Sequence, residues 1–303
     1  ARLIPSSAPA TTYRDISLSV IMSLLGISVC TDTDESEYSN RLEIHGMESI
    51  DSLGQVICQS SLKVSIKDER DILMKALELS LRMTPDAIEP IFSGGAWAGT
   101  VLWRAAIRLV DICFLSDNKK GIDELQSASV IELGCGLGVP GMVAAVLGAR
   151  LVALTEQSNL VSLLDRNIKA NFLSDSTNNP RIVARELDWC AEQAIALRNE
   201  LLDGEPFDIV LSCDCVYIPL YGDSWRALVD AIIAVAGPKS LVLVAVERRY
   251  VQGGTDGVDL FLNAMTSANF IPSLISEPPV EIYSFKVHKN DNIKNIIDSS
   301  RQQ

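Results

Sequence analysis

Histidine is nearly missing from this 303-residue chain, which has only His45 and His288. Neither stands near a cysteine pair, and the seven cysteines (Cys30, Cys58, Cys113, Cys135, Cys190, Cys213 and Cys215) include no CxxC spacing. Cys213 and Cys215 lie two apart on an expected strand and so face the same way, but with so little histidine no metal site is expected. An odd, scattered cysteine set argues against a disulfide framework and for a reducing compartment, the cytoplasm with the nucleus as the alternative. Positive charge is scarce as well: 26 Lys and Arg stand against 39 Asp and Glu, a formal net charge of -13. That balance speaks against nucleic-acid binding and suits a cationic partner, although many soluble proteins are simply acidic. No apolar run is long enough to span a bilayer. The segment from Ile16 to Val29 falls short of the roughly 20 residues required, and Asp15 and Thr31-Asp32 close its ends. A packing helix or strand is the preferred reading there, ahead of the apolar part of a signal peptide.

What is present centres on Val130-Ile-Glu-Leu-Gly-Cys-Gly-Leu-Gly-Val-Pro-Gly141. Val130, Ile131 and Leu133 read as the end of a buried parallel strand. Gly134, Gly136 and Gly138 permit a tight turn and close approach to a ligand. The apolar run from Val139 to Leu147 then reads as a helix whose free N–H groups point back at the turn. Together these make a nucleotide-type cofactor site.

Around this centre the chain falls into three parts. Residues 1–90 read as an accessory segment, with alternating residues at Arg41–Ile44 and Gln55–Ile66 suited to a hairpin. Asp68 to Arg82 reads as a helix, because Ile72, Leu73, Leu77 and Leu81 fall roughly on one face. Residues 91–290 form the main domain and 291–303 a polar tail. In the main domain a helix is expected from Thr100 to Leu115, followed by the opening strand. Strands and helices then alternate: Leu151–Leu154, Asn159–Asn171, Ile182–Leu187, Ala191–Leu202, Phe207–Ser212, Ser224–Val235, Leu241–Val246 and Gly257–Ala268. Repeated strand–helix pairs imply a parallel sheet covered on both faces. Two closing strands, Phe270–Ile275 and Glu281–Val287, lie close enough in sequence to pair antiparallel.

The glycines allow two registers. Gly136-x-Gly138-x-x-Gly141, with Glu156 twenty residues after Gly136, satisfies a dinucleotide fingerprint. Glu132-x-Gly134-x-Gly136 instead resembles the S-adenosylmethionine loop of seven-stranded methyltransferases. Glu132 favours the second, since a carboxylate at that point repels a pyrophosphate but supports a sulfonium-bearing, cationic ligand, and an NAD-dependent oxidoreductase becomes the disfavoured rival. Pro140 removes one N–H from the helix start, a smaller loss where no phosphate is bound. Glu156 is placed to accept hydrogen bonds from ribose hydroxyls. Asp188 and Trp189 can bracket an adenine by hydrogen bond and stacking, and Trp103 offers another contact. For both tryptophans the plainer reading is core packing. Asp214-Cys-Val-Tyr217 follows the fourth strand of the main sheet, where ligands of such sheets react. A capping aspartate with a surface tyrosine is the plainer alternative.

These residues together resemble the seven-β-strand protein-lysine methyltransferases that carry a DxxY motif, the non-histone, methyltransferase-like group. The resemblance rests on Gly99-Thr-Val-Leu-Trp103, Val130–Gly136, Leu163-Leu-Asp-Arg-Asn-Ile-Lys-Ala-Asn171, Leu187-Asp-Trp189, Asp214–Tyr217 and Glu247-Arg-Arg249, in the family's order. It implies an α/β, Rossmann-like seven-stranded sheet, mostly parallel with the last strand antiparallel, behind an N-terminal accessory segment. It implies S-adenosylmethionine as cofactor, held by Trp103, Glu132, the turn Gly134-Cys135-Gly136, Glu156, Asp188, Trp189 and the backbone at Cys213. Asp214 and Tyr217 would form the catalytic, lysine-receiving end, with a lysine-presenting protein as partner and neither nucleic acid nor membrane. Glu156 stands where the family usually carries Asp, and the first 90 residues match nothing recognisable. A small-molecule methyltransferase and a non-catalytic, chaperone-like binding module on the same fold remain the alternatives.

Overall fold

The computed structural model describes residues 41–50, 56–68, 70–81, 97–116, 124–172 and 181–287. The apolar segment from Ile16 to Val29 and the polar tail lie outside them. Two sheets are present. The smaller has three antiparallel strands, β1 (Leu42–Ile50), β2 (Val56–Lys67) and β3 (Leu73–Ser80), in the order β1-β2-β3. The larger has seven: β4 (Ser129–Leu133), β5 (Leu151–Glu156), β6 (Arg181–Glu186), β7 (Ile209–Cys213), β8 (Leu241–Glu247), β9 (Phe270–Ser276) and β10 (Val280–Val287). Their spatial order is β6-β5-β4-β7-β8-β10-β9. Strands β4 to β8 run parallel, whereas β10 is antiparallel to both of its neighbours.

Helices on both faces complete the main domain: α1 (Arg104–Leu109, continued by a π turn over Val110–Leu115), α2 (Val139–Val146), α3 (Ser158–Phe172), α4 (Ala191–Leu202), α5 (Ile218–Tyr221), α6 (Trp225–Val235) and α7 (Val258–Ser267). Alternation along the pleat divides the core between the two faces. On β4, Val130 joins the cluster that contains α1, α2 and α3, while Ile131 and Leu133 join the one that contains α4, α6 and α7. Both layers are apolar, so every residue of β4 and β7 is buried, and apolar residues dominate the central strands. The expected strand–helix alternation from Val130 to Val287 is what the chain adopts, with ends shifted by a few residues.

The accessory region departs from expectation at one element. Asp68 to Arg82 does not form a helix over its described residues; Leu73–Ser80 is a strand paired with β2. Asp68 Oδ1 accepts the backbone N–H groups of Arg70 and Ile72 at 2.9 Å each. Asp71 takes φ +62°, and the chain reverses into a hairpin. From there Leu77, Leu79 and Leu81 alternate inward, while Ile72 and Leu73 are more than half exposed. Both periodicities fit this stretch locally, and pairing with β2 selects period two.

Two asparagines of α3 join the small sheet to the main domain. Asn167 accepts from Ser80 N at 2.8 Å and donates to Ser80 O at 3.2 Å. Asn171 does the same for Glu78, at 2.8 Å in both directions. The two carboxamides thus complete the free edge of β3 as a neighbouring strand would, which blunts an otherwise open edge. This also gives a use to the Leu163–Asn171 stretch. Asn167→Ala removes both hydrogen bonds to the part-buried Ser80 main chain, and is expected to lower unfolding free energy by about 1–3 kcal/mol. Urea titration of the variant measures this, and an unchanged midpoint would refute the edge-completion role.

Candidate active site

The strand order reverses direction between β4 and β7. From β4 the chain builds outward through β5 to β6, then returns to lay down β7 on the other side. The loops that leave the carboxyl ends of these two strands therefore diverge, and a crevice opens between them. It is a cavity of about 460 Å³, in the range of ligand pockets.

One lip is the glycine turn. Gly134, Gly136 and Gly138 adopt φ of +63°, +54° and +73°, which an L side chain rarely takes. At Gly134 space is also short: a Cβ would lie 2.6 Å from Trp189 Cζ2 and 2.7 Å from Cys215 Sγ. Gly138 and Gly141 face inward, where a Cβ would meet Leu154 at 2.7 and 2.4 Å. Gly138 still borders the cavity, whereas Gly141 does not and serves packing alone, so the dinucleotide register has no support from its last glycine. The turn is tied down by Cys135 N donating to Thr155 O at 3.0 Å and Gly136 N donating to Glu156 Oε1 at 3.1 Å.

Trp103, Gly134, Cys135, Gly136, Glu156, Asp188, Trp189, Cys213 and Asp214 all line the cavity. Trp103 sits in extended conformation just before α1, its indole N–H donating to Ala98 O at 2.9 Å. Glu156 also receives Gln157 N at 2.8 Å; burial raises its pKa against these two backbone donors. Each carboxylate oxygen accepts one of them and retains a further acceptor position. The opposite wall contains Ser224, whose buried Oγ has no hydrogen-bond partner among the described residues. A carboxylate with spare acceptor positions, an indole wall and an orphaned hydroxyl fit a nucleoside-bearing ligand. Three of the lining residues are cysteines, but burial pushes the Cys215 thiol up to about 12 and raises those of Cys135 and Cys213 well above their ordinary value. None is a ready thiolate nucleophile.

Glu132 and Tyr217 depart from expectation. Glu132 does not line the cavity. It is 1% exposed and points beneath the turn, where Oε2 accepts Gly141 N at 2.8 Å. Burial pushes its carboxyl up to about 8, so near neutral pH it anchors the first turn of α2 and is no counter-charge in the site. Tyr217 does not line the cavity either; Tyr221, one helical turn on, does. The Tyr217 ring lies beside the Arg249 guanidinium, 5.0 Å from ring centroid to Cζ. Asp214, at φ +56°, does reach the cavity, but its carboxylate is engaged: Arg249 Nη1 donates to Oδ1 at 3.0 Å, Arg249 Nη2 to Oδ2, and Glu247 N to Oδ1 at 3.2 Å. Burial alone would lower the pKa of Arg249, and the Asp214 and Glu247 carboxylates more than reverse this. Arg249, Tyr221 and Ser224 were not among the expected site residues. The first lay within a recognised motif without a role; Tyr221 lies in a four-residue helix that periodicity does not announce, and Ser224 stands at the start of an expected helix, where nothing local marks it as a site residue.

A seven-stranded sheet in this order, with a glycine turn after β4 and an acidic residue after β5, defines the class I, Rossmann-like methyltransferase fold. A family model described as lysine methyltransferase matches residues 92–268, more than half of the chain, and the chain belongs to that family. S-adenosylmethionine is accordingly the cofactor that the cavity has to fit. The chain is 46% identical over 131 residues to secreted RxLR effector protein 48 of Plasmopara viticola, covering 41% of this chain and 64% of that one. It is 27% identical over 191 residues to the protein N-lysine methyltransferase METTL21A of Mus musculus, covering 63% and 78%. To the EEF1A lysine methyltransferase 3 of Xenopus tropicalis it is 28% identical over 152 residues, covering 50% and 59%. The chain thus spans less than two thirds of the first and third of these relatives.

Two expectations follow. Gly134→Ala is expected to weaken S-adenosylmethionine binding at least about tenfold, because strain at positive φ and the clash with Trp189 together exceed about 1.4 kcal/mol; calorimetry measures it, and unchanged affinity would remove the turn from the cofactor site. For Glu132 the folded pKa lies above the ordinary 4.5, so the folded state keeps a proton that the unfolded state has lost. Stability therefore falls as pH rises from about 4.5 to about 8. Glu132→Gln should flatten that fall, read from urea midpoints across the window; parallel wild-type and variant profiles would contradict it.

Proposed function

We propose that this protein transfers a methyl group from S-adenosylmethionine to a lysine side-chain amine of a non-histone protein. The observation that carries the proposal is that the glycine turn and the Asp214 strand end share one cavity within a lysine methyltransferase domain. The names of the Mus musculus and Xenopus tropicalis relatives, both lysine methyltransferases, support the same acceptor. The net charge of -13 suits a basic substrate protein. Cys113, Cys135, Cys190, Cys213 and Cys215 are free, which supports the reducing cytoplasm as the place of action. Secretion, in the name of the Plasmopara viticola relative, is that protein's property.

Trp189 and Asp188 would hold the adenine end of the cofactor, Glu156 the ribose, and the turn from Gly134 to Gly136 with Trp103 and the Cys213 backbone the amino-acid end. S-adenosylmethionine supplies an electrophilic methyl group on a sulfonium. The acceptor arrives protonated, with a pKa near about 10.4, and must give its proton to solvent before its nitrogen lone pair can form the new N–C bond. The Asp214 carboxylate attracts the ammonium, and burial at the cavity then favours the neutral amine. Alignment at near-contact distance provides most of the acceleration, about 7–11 kcal/mol at best. With Arg249 beside it, Tyr217 supports this end from outside the cavity.

Asp214→Asn preserves shape and the hydrogen bond from Glu247 N. Incubated with cell extract and tritiated S-adenosylmethionine, wild type is expected to label a protein band. The variant should label it about 10²-fold more slowly or worse, with cofactor affinity within a few-fold of wild type. Label confined to small metabolites would overturn the protein substrate, and full activity in the variant would remove Asp214 from the reaction.

A further inference from the structure

One buried cation is paired with the carboxylate proposed to receive the acceptor lysine, and methyl transfer as described gives it no chemical step. Arg249 follows β8 with its side chain 5% exposed. Its guanidinium forks onto both oxygens of Asp214 and reaches Glu247 Oε2 at 2.8 Å. Aromatic rings flank it as well: the Trp103 centroid lies 5.6 Å and the Tyr217 centroid 5.0 Å from Cζ, both within cation–π range. The group therefore ties the end of β8 to two elements that line the cavity, the start of α1 and the end of β7. Two of its partners, Trp103 and Asp214, are cavity wall. Its neighbour Arg248 makes a useful contrast. That side chain is 25% exposed and pairs with Asp256, Asp259 and Glu281, away from the cavity.

A buried ion pair of this kind is a weak source of stability, since an apolar cluster of the same volume does as well; its best-supported use is to specify one geometry. Here the geometry specified is the distance between a cofactor wall and the carboxylate that faces the acceptor. We propose that Arg249 is a positioning residue for methyl transfer, holding the Trp103 ring and the Asp214 carboxylate in one frame so that amine and methyl group meet in line. The inference rests on the lysine methyltransferase reading of this site. Asp214, with both oxygens held by a permanent cation, serves as a fixed electrostatic anchor for the substrate ammonium, and the departing proton goes to water. A lysine at 249 cannot replace the arginine, because an ammonium neither forks onto a carboxylate nor presents a plane to two rings.

The test uses the full chain carrying Arg249→Ala, which leaves a guanidinium-sized hole between two rings and two carboxylates. Initial rates of tritium transfer into the labelled extract protein are expected to fall about 10²-fold, the cost of roughly 1 Å of misplacement. S-adenosylmethionine affinity, by calorimetry, should stay within a few-fold of wild type. Millimolar guanidinium should raise both the rate and the Tm of the variant, whereas urea at equal concentration should raise neither. Guanidinium that lifts Tm without lifting the rate overturns the proposal, because Arg249 is then structural only; a wild-type rate in the alanine variant also overturns it. If Arg249→Ala does not fold, Arg249→Lys carries the test: a slow enzyme with normal cofactor affinity supports the proposal, and a fast one ends it. A wild type that labels no protein fails the lysine reading itself, and this inference with it. An active wild type with an equally active Arg249→Lys variant fails the inference alone.

Discussion

The pairing of β4 with β7 is the constraint on which the site depends. These strands are adjacent in the sheet but separated in sequence by two strand–helix units, and the chain leaves them in opposite directions. Backbone hydrogen bonding thus holds two loop origins one strand spacing apart, while the loops themselves separate. Both loops begin with a residue in the left-handed region, Gly134 at φ +63° and Asp214 at φ +56°. At one lip the departure suits glycine because Trp189 and Cys215 crowd in. At the other it turns a carboxylate to the cavity, held by Arg249. A ligand between the lips meets backbone on one side and an organised ion pair on the other.

Charge is handled differently at the two lips. Glu132 lies beneath the turn and burial keeps it neutral near pH 7, so the floor of the cofactor side carries a hydrogen bond without a charge. Asp214, Glu247 and Arg249 form a charged cluster between aromatic rings at the other side. In a chain this acidic, a buried arginine at the site is a notable exception to the surface balance. Buried charges without partners are expensive, so each member of the cluster depends on the others.

Sequence alone disclosed the main domain well, because its signals are local and repeated. Strand–helix alternation from Val130 to Val287 recurs often enough that errors at element ends do not alter the topology. Turn chemistry at Gly134, Gly136 and Gly138 is likewise readable, since each glycine meets a demand of its own backbone. Failure came where two distant segments decide the outcome. Leu73–Ser80 carries leucines that suit either a helix face or an alternating strand, and only β2 selects between them. Tyr217 and Tyr221 stand one helical turn apart, and the one that reaches the cavity is set by the chain path after Asp214. The meaning of Arg249 rests on the β7–β8 ladder, in which Cys213 faces Ala245, so that Glu247 N reaches the Asp214 carboxylate. A ladder between segments more than thirty residues apart leaves no mark in local pattern. Glu132 misled for a related reason: a carboxylate at a strand end can point to the cavity or beneath the loop, and the register of α2 against β4 settles which.

The joint between the two sheets is indifferent to most of the sequence it holds. Asn167 and Asn171 grip main-chain groups of Ser80 and Glu78, groups that nearly every residue type carries. Beyond them, β3 offers the core Leu77 and Leu79, with Leu81 just after it, and Lys75 reaches the Asn171 carbonyl and the Phe172 ring. Any alternating strand with a few inward apolar residues satisfies the same socket. Apart from Lys75, the outward side chains of β3 are thereby released from the task of attachment, and selection can rewrite that face for a new partner while the main domain keeps its grip on the piece being rewritten.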